Sequence, residues 1–304
     1  MNRINTIHLL AQKINKQFIL EDEWMNGHTT FKVGGPADLY VIPQTEEELI
    51  HAIRVCQSEN IPYYVIGNGS NLLVTDKGYR GVIIEVYKAL SRIEVKEDCI
   101  TAYAGALLSR VANAACEEGL TGFEFAHGIP GTLGGAVTMN AGAYDGEMKD
   151  VLVKATIIDE QGELKELSLE ELELGYRTSI VSKKGYTVVK ATIKLTKGNK
   201  DDIKAKMQDL MQRRRDKQPL EYPSAGSTFK RPVGHFAGKL IMDSNLRGYE
   251  VGGAKISDKH CGFVINTGKA TFEDIITLIQ DVQKCVKEKF DVALETEVKV
   301  IGER

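Results

Sequence analysis

The chain has 304 residues, of which 42% are hydrophobic and 27% are charged, and its formal net charge is −3 at pH 7. This length allows two or three parts with separate cores, and the composition is that of a globular protein. The weak negative charge argues against recruitment of nucleic acid or anionic membranes, so any bound anion must be held locally. No uninterrupted apolar run of about 18 residues occurs and no signal-peptide pattern is present, so we expect a cytoplasmic protein without a membrane span.

The cysteines and histidines indicate reduced thiols and no metal site. The five cysteines are scattered along the chain without a C-x-x-C pair, which favours a reducing compartment. The six histidines show neither an H-E-x-x-H motif nor a paired spacing with the cysteines.

The first half of the chain is predicted to alternate between helices and strands. Thr45 and Glu48 form a capping box for a helix, and the strands on either side of this helix complete a β-α-β unit. Gly119 is placed to end a later helix at its C′ position. The predicted elements are a helical stretch at 4–14, strand 37–42, helix 45–56, strands 63–66, 82–86, 92–96 and 100–104, and helix 107–118.

The second half is predicted to begin with an antiparallel region at 151–197. This region holds two strands joined by a Gln161-Gly162 turn, a short acidic helix near 168–174 capped by Ser168 and Glu171, and a long strand. Residues 197–200 form the best candidate linker. The remaining predicted elements are strand 187–195, helices 201–217, 236–244 and 271–290, and strands 262–266 and 293–301.

A first segment rich in small residues, Gly67 to Leu72, follows the predicted strand at 63–66. It begins as G-x-G but lacks the third glycine of the dinucleotide fingerprint, and Asn-Gly also favours an ordinary hairpin turn. Its backbone N–H groups and short polar side chains nevertheless suit an anion-binding nest. From these residues alone, a phosphate site and a simple turn both remain open.

A second such segment runs from Gly128 to Tyr144. Residues 131–136 are predicted to start a helix whose free N–H groups face a diphosphate, while Gly142 and Ala143 leave room for a ring. Tight helix packing through small residues is the alternative explanation. The two segments together predict one elongated cofactor held between two subdomains.

Seven motifs in chain order carry a resemblance to a known family. They are TFKVGGPAD (30–38), GNGSNLL (67–73), GIPGTLGGAVTMNAGAY (128–144), GYRTS (175–179), RRRDKQP (213–219), AGSTFKRP (225–232) and LETEVKVIGE (294–303). From about residue 28 to the C-terminus, the chain resembles the UDP-N-acetylenolpyruvoylglucosamine reductases of peptidoglycan precursor synthesis. Between Arg177 and Lys217 there is room for one strand and one helix, as in the shorter class of this family, which lacks a Tyr-bearing substrate loop.

The resemblance implies an α+β fold. Its parts are an FAD-binding domain in two subdomains, of the type found in vanillyl-alcohol oxidase and p-cresol methylhydroxylase, and a C-terminal α+β substrate-binding domain. On this basis we expect the FAD-binding subdomains at residues 1–88 and 89–198 and the substrate-binding domain at 199–304.

The resemblance also implies a reaction, the NADPH-dependent reduction of the enolpyruvyl ether of UDP-N-acetylglucosamine enolpyruvate to UDP-N-acetylmuramate. Hydride passes from flavin N5 to C3 of the enolpyruvyl group, and Ser227 is the implied donor of a proton to C2. A hydroxyl is a weak acid, but a dianionic enolate is a strong base. Without the resemblance, Ser227 would be interpreted as a hydroxyl in a turn.

Arg177 and Glu297 are the residues implied at the substrate carboxylate. Arginine offers a planar fork that lysine cannot reproduce. Glu297 would either donate a hydrogen bond in its protonated form or orient a proton relay. On the predicted strand at 293–301 it shares a polar face with Glu295 and Lys299, so a solvated surface charge is the alternative.

The implied substrate ligands are Tyr176, Arg213, Lys217 and Arg231. Arg213 and Lys217 are four residues apart on one helical face, so both could reach a diphosphate of the substrate or of NADPH. A basic helix C-terminus that complements the helix dipole is the alternative. Some relatives carry Asn at the position of Arg231.

The implied cofactor residues all lie in the two glycine-rich segments. They are Gly67, Asn68, Gly69, Ser70, Asn71, Leu72, Gly128, Ile129, Pro130, Gly131, Thr132, Gly134, Gly135, Ala136, Asn140, Ala141 and Gly142. Related oxidases often tether flavin through a histidine near the first glycine segment. Residues 67–73 contain none, so we expect FAD to be bound noncovalently.

Two other functions remain open at this stage. One is an FAD-dependent oxidase of an alcohol or a sugar with the same fold, which would not need a proton donor at Ser227. The other is a nucleotide-binding protein without catalysis, in which Glu297 is merely solvated. We expect a monomer that takes a small-molecule substrate.

Overall fold

The computed structural model describes residues 1–303. Its helices are α1 Arg3–Leu10, α2 Glu46–Ser58, α3 Leu108–Glu117, α4 Leu133–Thr138, α5 Ile180–Lys184, α6 Lys200–Lys217, α7 Ala237–Asp243 and α8 Phe272–Phe290. Its strands are β1 Ile19–Trp24, β2 Pro36–Val41, β3 Tyr63–Ile66, β4 Leu72–Val74, β5 Tyr79–Glu85, β6 Ile93–Lys96, β7 Cys99–Tyr103, β8 Leu120–Thr121, β9 Gly142–Ala143, β10 Gly146–Glu147, β11 Leu152–Ile158, β12 Leu164–Ser168, β13 Thr187–Lys194, β14 Thr196–Lys197, β15 Glu250–Val251, β16 Ala254–Ile256, β17 Val264–Asn266 and β18 Lys299–Ile301.

Two larger sheets organise the strands. A four-stranded sheet has the order β1-β2-β5-β3, with β3 and β5 parallel, so β5 lies between the two strands of the predicted β-α-β unit. A five-stranded sheet has the order β12-β11-β13-β7-β6, and its strands pair antiparallel. The predicted antiparallel character of residues 151–197 is therefore confirmed.

The first compact unit comprises residues 1–21, 39–68 and 81–213 and has its own hydrophobic core. Helix α3 shows how the sequence builds it. Its buried side chains are Leu108, Val111, Ala112 and Ala115, which follow the i, i+3, i+4, i+7 spacing of one helical face. Gly119 follows this helix with φ of 64°, so the predicted glycine stop is confirmed.

The second compact unit comprises residues 22–38, 69–80 and the chain from 214 onward, and it also has a core of its own. Helix α8 buries Ile275, Leu278, Ile279, Val282 and Val286 in this core. Thr271 and Asp274 form its capping box. Strand β18 pairs in parallel with β4. This pairing joins two segments that are far apart in the sequence.

The domain boundaries predicted at residues 88/89 and 198/199 stay a prediction. Residues 22–38 and 69–80, placed in the first part by the sequence, belong to the second compact unit. The pairing of β4 with β18 within this unit depends on chain segments that no local pattern connects.

Two predicted elements differ from the structure. The acidic helix near 168–174 is a turn: Ser168 and Glu171 do form their two reciprocal hydrogen bonds, but Glu173 adopts φ of 46°, which ends any helix there. The strand predicted at 293–301 is reduced to β18, and the preceding residues form a single bridge between Phe229 and Thr296.

Across residues 1–303, no helix combines the length and the apolar composition that crossing a membrane requires. Within the same residues, no group of three or more His, Cys, Asp or Glu side chains could hold a metal ion.

Candidate active site

The two glycine-rich segments meet in the first compact unit. A Cβ added to Gly67 would lie 2.1 Å from Oγ1 of Thr132, so only glycine allows this approach. The side-chain amide of Asn68 donates a hydrogen bond to the carbonyl of Pro130 at 2.7 Å. These contacts bring four of the predicted cofactor residues together.

The N-terminus of helix α4 is arranged differently from the prediction. The N–H groups of Leu133 and Gly134 donate to the carbonyls of Ala106 and Ala104, both at 2.9 Å, so they are not free to face a diphosphate. A Cβ on Gly134 would lie 2.7 Å from Cβ of Ala104. Gly134 therefore packs closely against Ala104, as the alternative explanation predicts, and its role as a cofactor residue stays a prediction.

Gly142 packs closely on the side where a side chain would project, and its role beside a ring stays a prediction. It lies in β9, which pairs with β10, and a Cβ there would lie 2.6 Å from the carbonyl oxygen of Gly146. The space beside its Cα is filled by this hairpin.

Other glycine positions in these segments have main chain that is at least partly exposed, the chemistry that a dinucleotide cofactor would need. Gly135 is exposed on α4, and a Cβ there would meet no atom within 4 Å. Gly67, Asn68 and Gly128 are half-buried, so part of each residue is exposed. Bare main chain of this kind can approach a large flat or anionic group closely.

Arg177 lies on a tight turn in the same unit. Gly175 and Thr178 exchange backbone hydrogen bonds across this turn, and Arg177 adopts a left-handed φ of 54°. Its guanidinium donates to the carbonyls of Gly142 at 3.2 Å and Asn140 at 3.5 Å. The guanidinium carbon also lies 5.1 Å from the ring centroid of Tyr176, whose side chain is exposed.

Ser227 belongs to the second compact unit, where its half-buried hydroxyl donates to the carbonyl of Phe229 at 3.1 Å. The next residue, Thr228, is fully buried and bonded on both sides. Its N–H donates to Gly262 and its carbonyl accepts the N–H of Glu297, both at 2.8 Å. Ser227 and Glu297 therefore lie on adjacent segments of main chain.

Asn71, which belongs to the second compact unit, contacts the segment of Glu297. The side-chain amide of Asn71 donates to the carbonyl of Glu297 at 3.2 Å, and its own carbonyl accepts the N–H of Lys299 at 3.0 Å. Glu295 is exposed and pairs with Lys230 at 3.0 Å, whereas Glu297 is half-buried. The solvated-charge interpretation therefore describes Glu295, and the role of Glu297 stays a prediction.

The remaining predicted ligands are exposed cations. Arg213 lies on α6 and pairs with Asp209 one turn away at 2.7 Å, and Lys217 is the last residue of the same helix. The Arg231 guanidinium lies 4.0 Å from the ring centroid of Phe236. The structure therefore brings Arg177, Asn140 and Gly142 together, and separately Ser227, Asn71 and Glu297.

His260 lies close to Ser227, a placement that the sequence motifs do not predict. A Cβ on Gly262 would lie 3.0 Å from Cε1 of His260 and 3.7 Å from Oγ of Ser227, so both side chains flank this glycine. Burial lowers the pKa of His260. No local pattern in residues 260–262 signals this placement, because it depends on the pairing of residue 228 with 262.

His127, at the start of the second glycine segment, has a buried Nδ1 atom without a hydrogen-bond partner among residues 1–303. Burial lowers the pKa of this histidine as well.

Known proteins with similar sequences point to one family. Residues 37–168 match the FAD binding domain family, and residues 218–301 match the family of the C-terminal domain of UDP-N-acetylenolpyruvoylglucosamine reductase. A UDP-N-acetylenolpyruvoylglucosamine reductase from Clostridium perfringens (strain SM101 / Type A) is 56% identical over 294 residues, which cover 97% of this chain and 96% of the relative.

Solved structures show the same likeness. The crystal structure of UDP-N-acetylenolpyruvylglucosamine reductase from Thermus caldophilus has a TM-score of 0.81 and 36% identity, and the match covers 93% of this chain and 100% of that one. A 4-ethylphenol oxidase from Gulosibacter chungangensis has a TM-score of 0.50 and 15% identity over 96% of this chain and 64% of its own, and so shares the fold alone. With an FAD-binding domain and relatives of this identity along its whole length, the chain belongs to the UDP-N-acetylenolpyruvoylglucosamine reductase family of FAD-dependent oxidoreductases.

Proposed function

We propose that this chain reduces the enolpyruvyl ether of UDP-N-acetylglucosamine enolpyruvate to UDP-N-acetylmuramate in peptidoglycan precursor synthesis, with NADPH as the reductant and FAD held noncovalently. The observation that supports this role best is the placement of Ser227 beside the segment that carries Glu297. The Thr228 carbonyl accepts the Glu297 N–H at 2.8 Å, and Asn71 of the first glycine segment bonds to the Glu297 carbonyl.

The proposed reaction divides its chemistry between the cofactor and the protein. The bound flavin supplies a hydride to C3 of the enolpyruvyl group. The protein must then stabilise the negative charge that spreads from C2 into the carboxylate, and it must deliver one proton to C2.

Ser227 is the proposed proton donor. Its hydroxyl is half-buried and donates to the Phe229 carbonyl, so it has to rotate away from this carbonyl to protonate C2. The enolate is basic enough to take a proton from a hydroxyl. A neutral carbonyl substrate would not be basic enough.

Arg177 and Glu297 are proposed to act on the substrate carboxylate. The Arg177 fork would offset part of the charge of the dianion as it forms, and its fixed turn limits the reorganisation that this requires. Glu297 would donate a hydrogen bond in its protonated form or orient the proton relay.

The remaining assignments belong to the same proposal. The sugar nucleotide and NADPH would be bound by the exposed polar ends of four side chains, those of Tyr176, Arg213, Lys217 and Arg231. The two glycine-rich segments would hold FAD mainly through main chain. We further propose a cytoplasmic monomer with FAD-binding subdomains at 1–88 and 89–198 and a substrate-binding domain at 199–304.

The two half-reactions of a Ser227→Ala variant test the proposal. We expect NADPH to reduce the flavin at a rate within about threefold of the parent protein, and reoxidation by the enolpyruvyl sugar nucleotide to slow by about 10²- to 10⁴-fold, the usual contribution of a general acid. Ser244→Ala is the matched control, because this hydroxyl also donates to a backbone carbonyl, that of Leu240 at 2.8 Å. Equal loss in both half-reactions, or no loss in either, would refute the role of Ser227.

The parent protein distinguishes the alternative functions. NADPH consumption that depends on the enolpyruvyl sugar nucleotide supports the reductase, whereas consumption that depends on oxygen alone supports the oxidase. A purified protein that binds no flavin would support the non-catalytic alternative.

A further inference from the structure

Asn140 is the most deeply buried polar residue of the second glycine-rich segment. Its side chain is 0% exposed, and its main chain adopts a left-handed φ of 45°. The side-chain amide donates to the carbonyl of Gly175 at 3.1 Å, and the side-chain oxygen accepts the N–H of Lys149 at 2.9 Å. Both polar ends of this side chain are therefore used within the protein, rather than offered to a ligand.

The Gly175 carbonyl belongs to the turn that presents Arg177. This carbonyl also accepts the N–H of Thr178 at 3.3 Å, while the N–H of Gly175 donates to Thr178 at 3.0 Å. Arg177 lies between these two residues in a left-handed conformation that non-glycine residues rarely adopt. Such a conformation persists only where the surrounding structure over-determines it.

A second anchor holds the far end of the turn. The Ser179 hydroxyl, which is fully buried, donates to the carbonyl of Thr138 at 2.6 Å. The Arg177 guanidinium donates in turn to the carbonyls of Asn140 and Gly142. Residues 138–142 thus hold the turn at both ends and hold the guanidinium as well.

We propose that Asn140 is a positioning residue that fixes the direction of the Arg177 guanidinium for the carboxylate of the substrate. This inference rests on the proposed function, in which Arg177 binds that carboxylate. A planar fork stabilises developing charge only in the correct orientation, and a displacement of about 1 Å can cost about 100-fold in rate.

Asparagine suits this role because it combines a donor and an acceptor at one buried position. Aspartate would keep the acceptor for Lys149 but would set a carboxylate against the Gly175 carbonyl, and alanine would remove both groups. The same side chain joins the glycine-rich segment to the turn, so the two move together.

The first test compares Asn140→Ala with Asn266→Ala. Asn266 is a matched control in the second unit, because it is 4% exposed, donates to the Phe31 carbonyl at 3.0 Å and accepts the N–H of Gly268 at 2.7 Å. We expect Asn140→Ala to lower kcat/KM for the enolpyruvyl sugar nucleotide by about 10- to 100-fold. Asn266→Ala should leave both half-reactions within about threefold. Equal effects of the two variants on the sugar-nucleotide step would overturn the inference.

A double-mutant cycle with Arg177→Ala tests whether Asn140 acts through Arg177. The double variant should be no slower with the sugar nucleotide than Arg177→Ala alone, because the guanidinium that Asn140 positions is already absent. If the rate loss of the double variant equals the product of the losses of the two single variants, the inference is overturned. If Arg177→Ala leaves this half-reaction intact, the proposed role of Arg177 fails instead.

Hydrogen exchange gives a readout that does not depend on activity. Asn140→Ala should speed exchange at the amides of Gly175 and Thr178, and Asn266→Ala should not. If Asn140→Ala does not fold, Ser179→Ala provides the same two readouts by removing the second anchor of the turn. Unchanged exchange in the turn would show that Asn140 does not hold it.

Discussion

Substitution of Gly67 by alanine tests the contact between the two glycine-rich segments. The added Cβ would lie 2.1 Å from Oγ1 of Thr132 and 3.1 Å from its Cβ and Cγ2. Since nonbonded atoms prefer about 3.5 Å, the two segments would have to separate by roughly 1.4 Å. Overpacking of this kind costs about 1–3 kcal/mol, and the lower entropy of the unfolded alanine chain offsets about 0.4–1 kcal/mol of it. We therefore expect the free energy of unfolding to fall by about 1–2 kcal/mol.

Denaturant unfolding of the FAD-free protein and titration of FAD by its fluorescence measure the two consequences. Because about 1.4 kcal/mol corresponds to a factor of ten, FAD affinity should fall by about tenfold if the displaced segments hold the cofactor. Adding Thr132→Ala removes Oγ1 and Cγ2 and should restore most of the lost stability. Gly135→Ala is the control, since its Cβ meets no atom within 4 Å, and a helical alanine there should stabilise the FAD-free protein by about 0.5–1 kcal/mol.

Two results would contradict this reasoning. Full stability and full FAD affinity in Gly67→Ala would show that the segments are not packed through Gly67. Failure of Thr132→Ala to rescue the variant would show that Thr132 is not the group that the methyl displaces.

Three further predictions concern stability and reactivity. Backbone N–H groups of Thr271 and Gly253 hold the pKa of Asp274 below its usual value, so the stability that its carboxylate contributes is present above an unfolded pKa of about 3.9 and is lost as pH falls through the lower folded value. Asp274→Asn should therefore lower the free energy of unfolding by about 1 kcal/mol at pH 7, and in urea titrations this gap should close as pH falls through the lower folded value; a constant gap would contradict the capping role. Burial raises the pKa of Cys56 to about 12, so mass spectrometry should detect no modification of Cys56 by thiol reagents at pH 8 until the protein unfolds. Leu278 is 0% exposed in the second core, so Leu278→Ala should lower the free energy of unfolding by about 2–5 kcal/mol, and a loss under about 1 kcal/mol would place Leu278 outside the tightly packed core.

Local signals in the sequence predicted several elements because their causes are local. Thr45 accepts the Glu48 N–H at 3.2 Å at the start of α2, which is the Thr45 half of the predicted capping box, while the Glu48 carboxylate accepts the N–H of Gln44. The apolar stripe of α8 and the antiparallel pairing of β11 with β12 around the 161–162 turn are also as predicted. Each depends on residues within a few positions of one another, whose side chains select a cap, a face or a turn.

Other features depended on which segments, distant in the sequence, pack against each other in the fold. The pattern of small residues at 131–136 predicted N–H groups free for a diphosphate, but the main chain at Ala104 and Ala106 accepts two of them. The alternation in residues 293–301 predicted a full strand, but only the last three residues pair with β4. Whether an N–H group is free depends on its neighbours in space, and the pattern of residues along the chain does not show these neighbours.

The sequence by itself determined the family, the two glycine-rich segments and the candidate residues Ser227, Arg177 and Glu297, because motif order and residue chemistry are carried along the chain. Only the tertiary structure decided what these residues touch. It placed Ser227 and Glu297 on adjacent segments and showed that Asn140 is fully buried beneath the Arg177 turn. The physical reason is that hydrogen bonds between distant segments form only after each unit has folded around its own core.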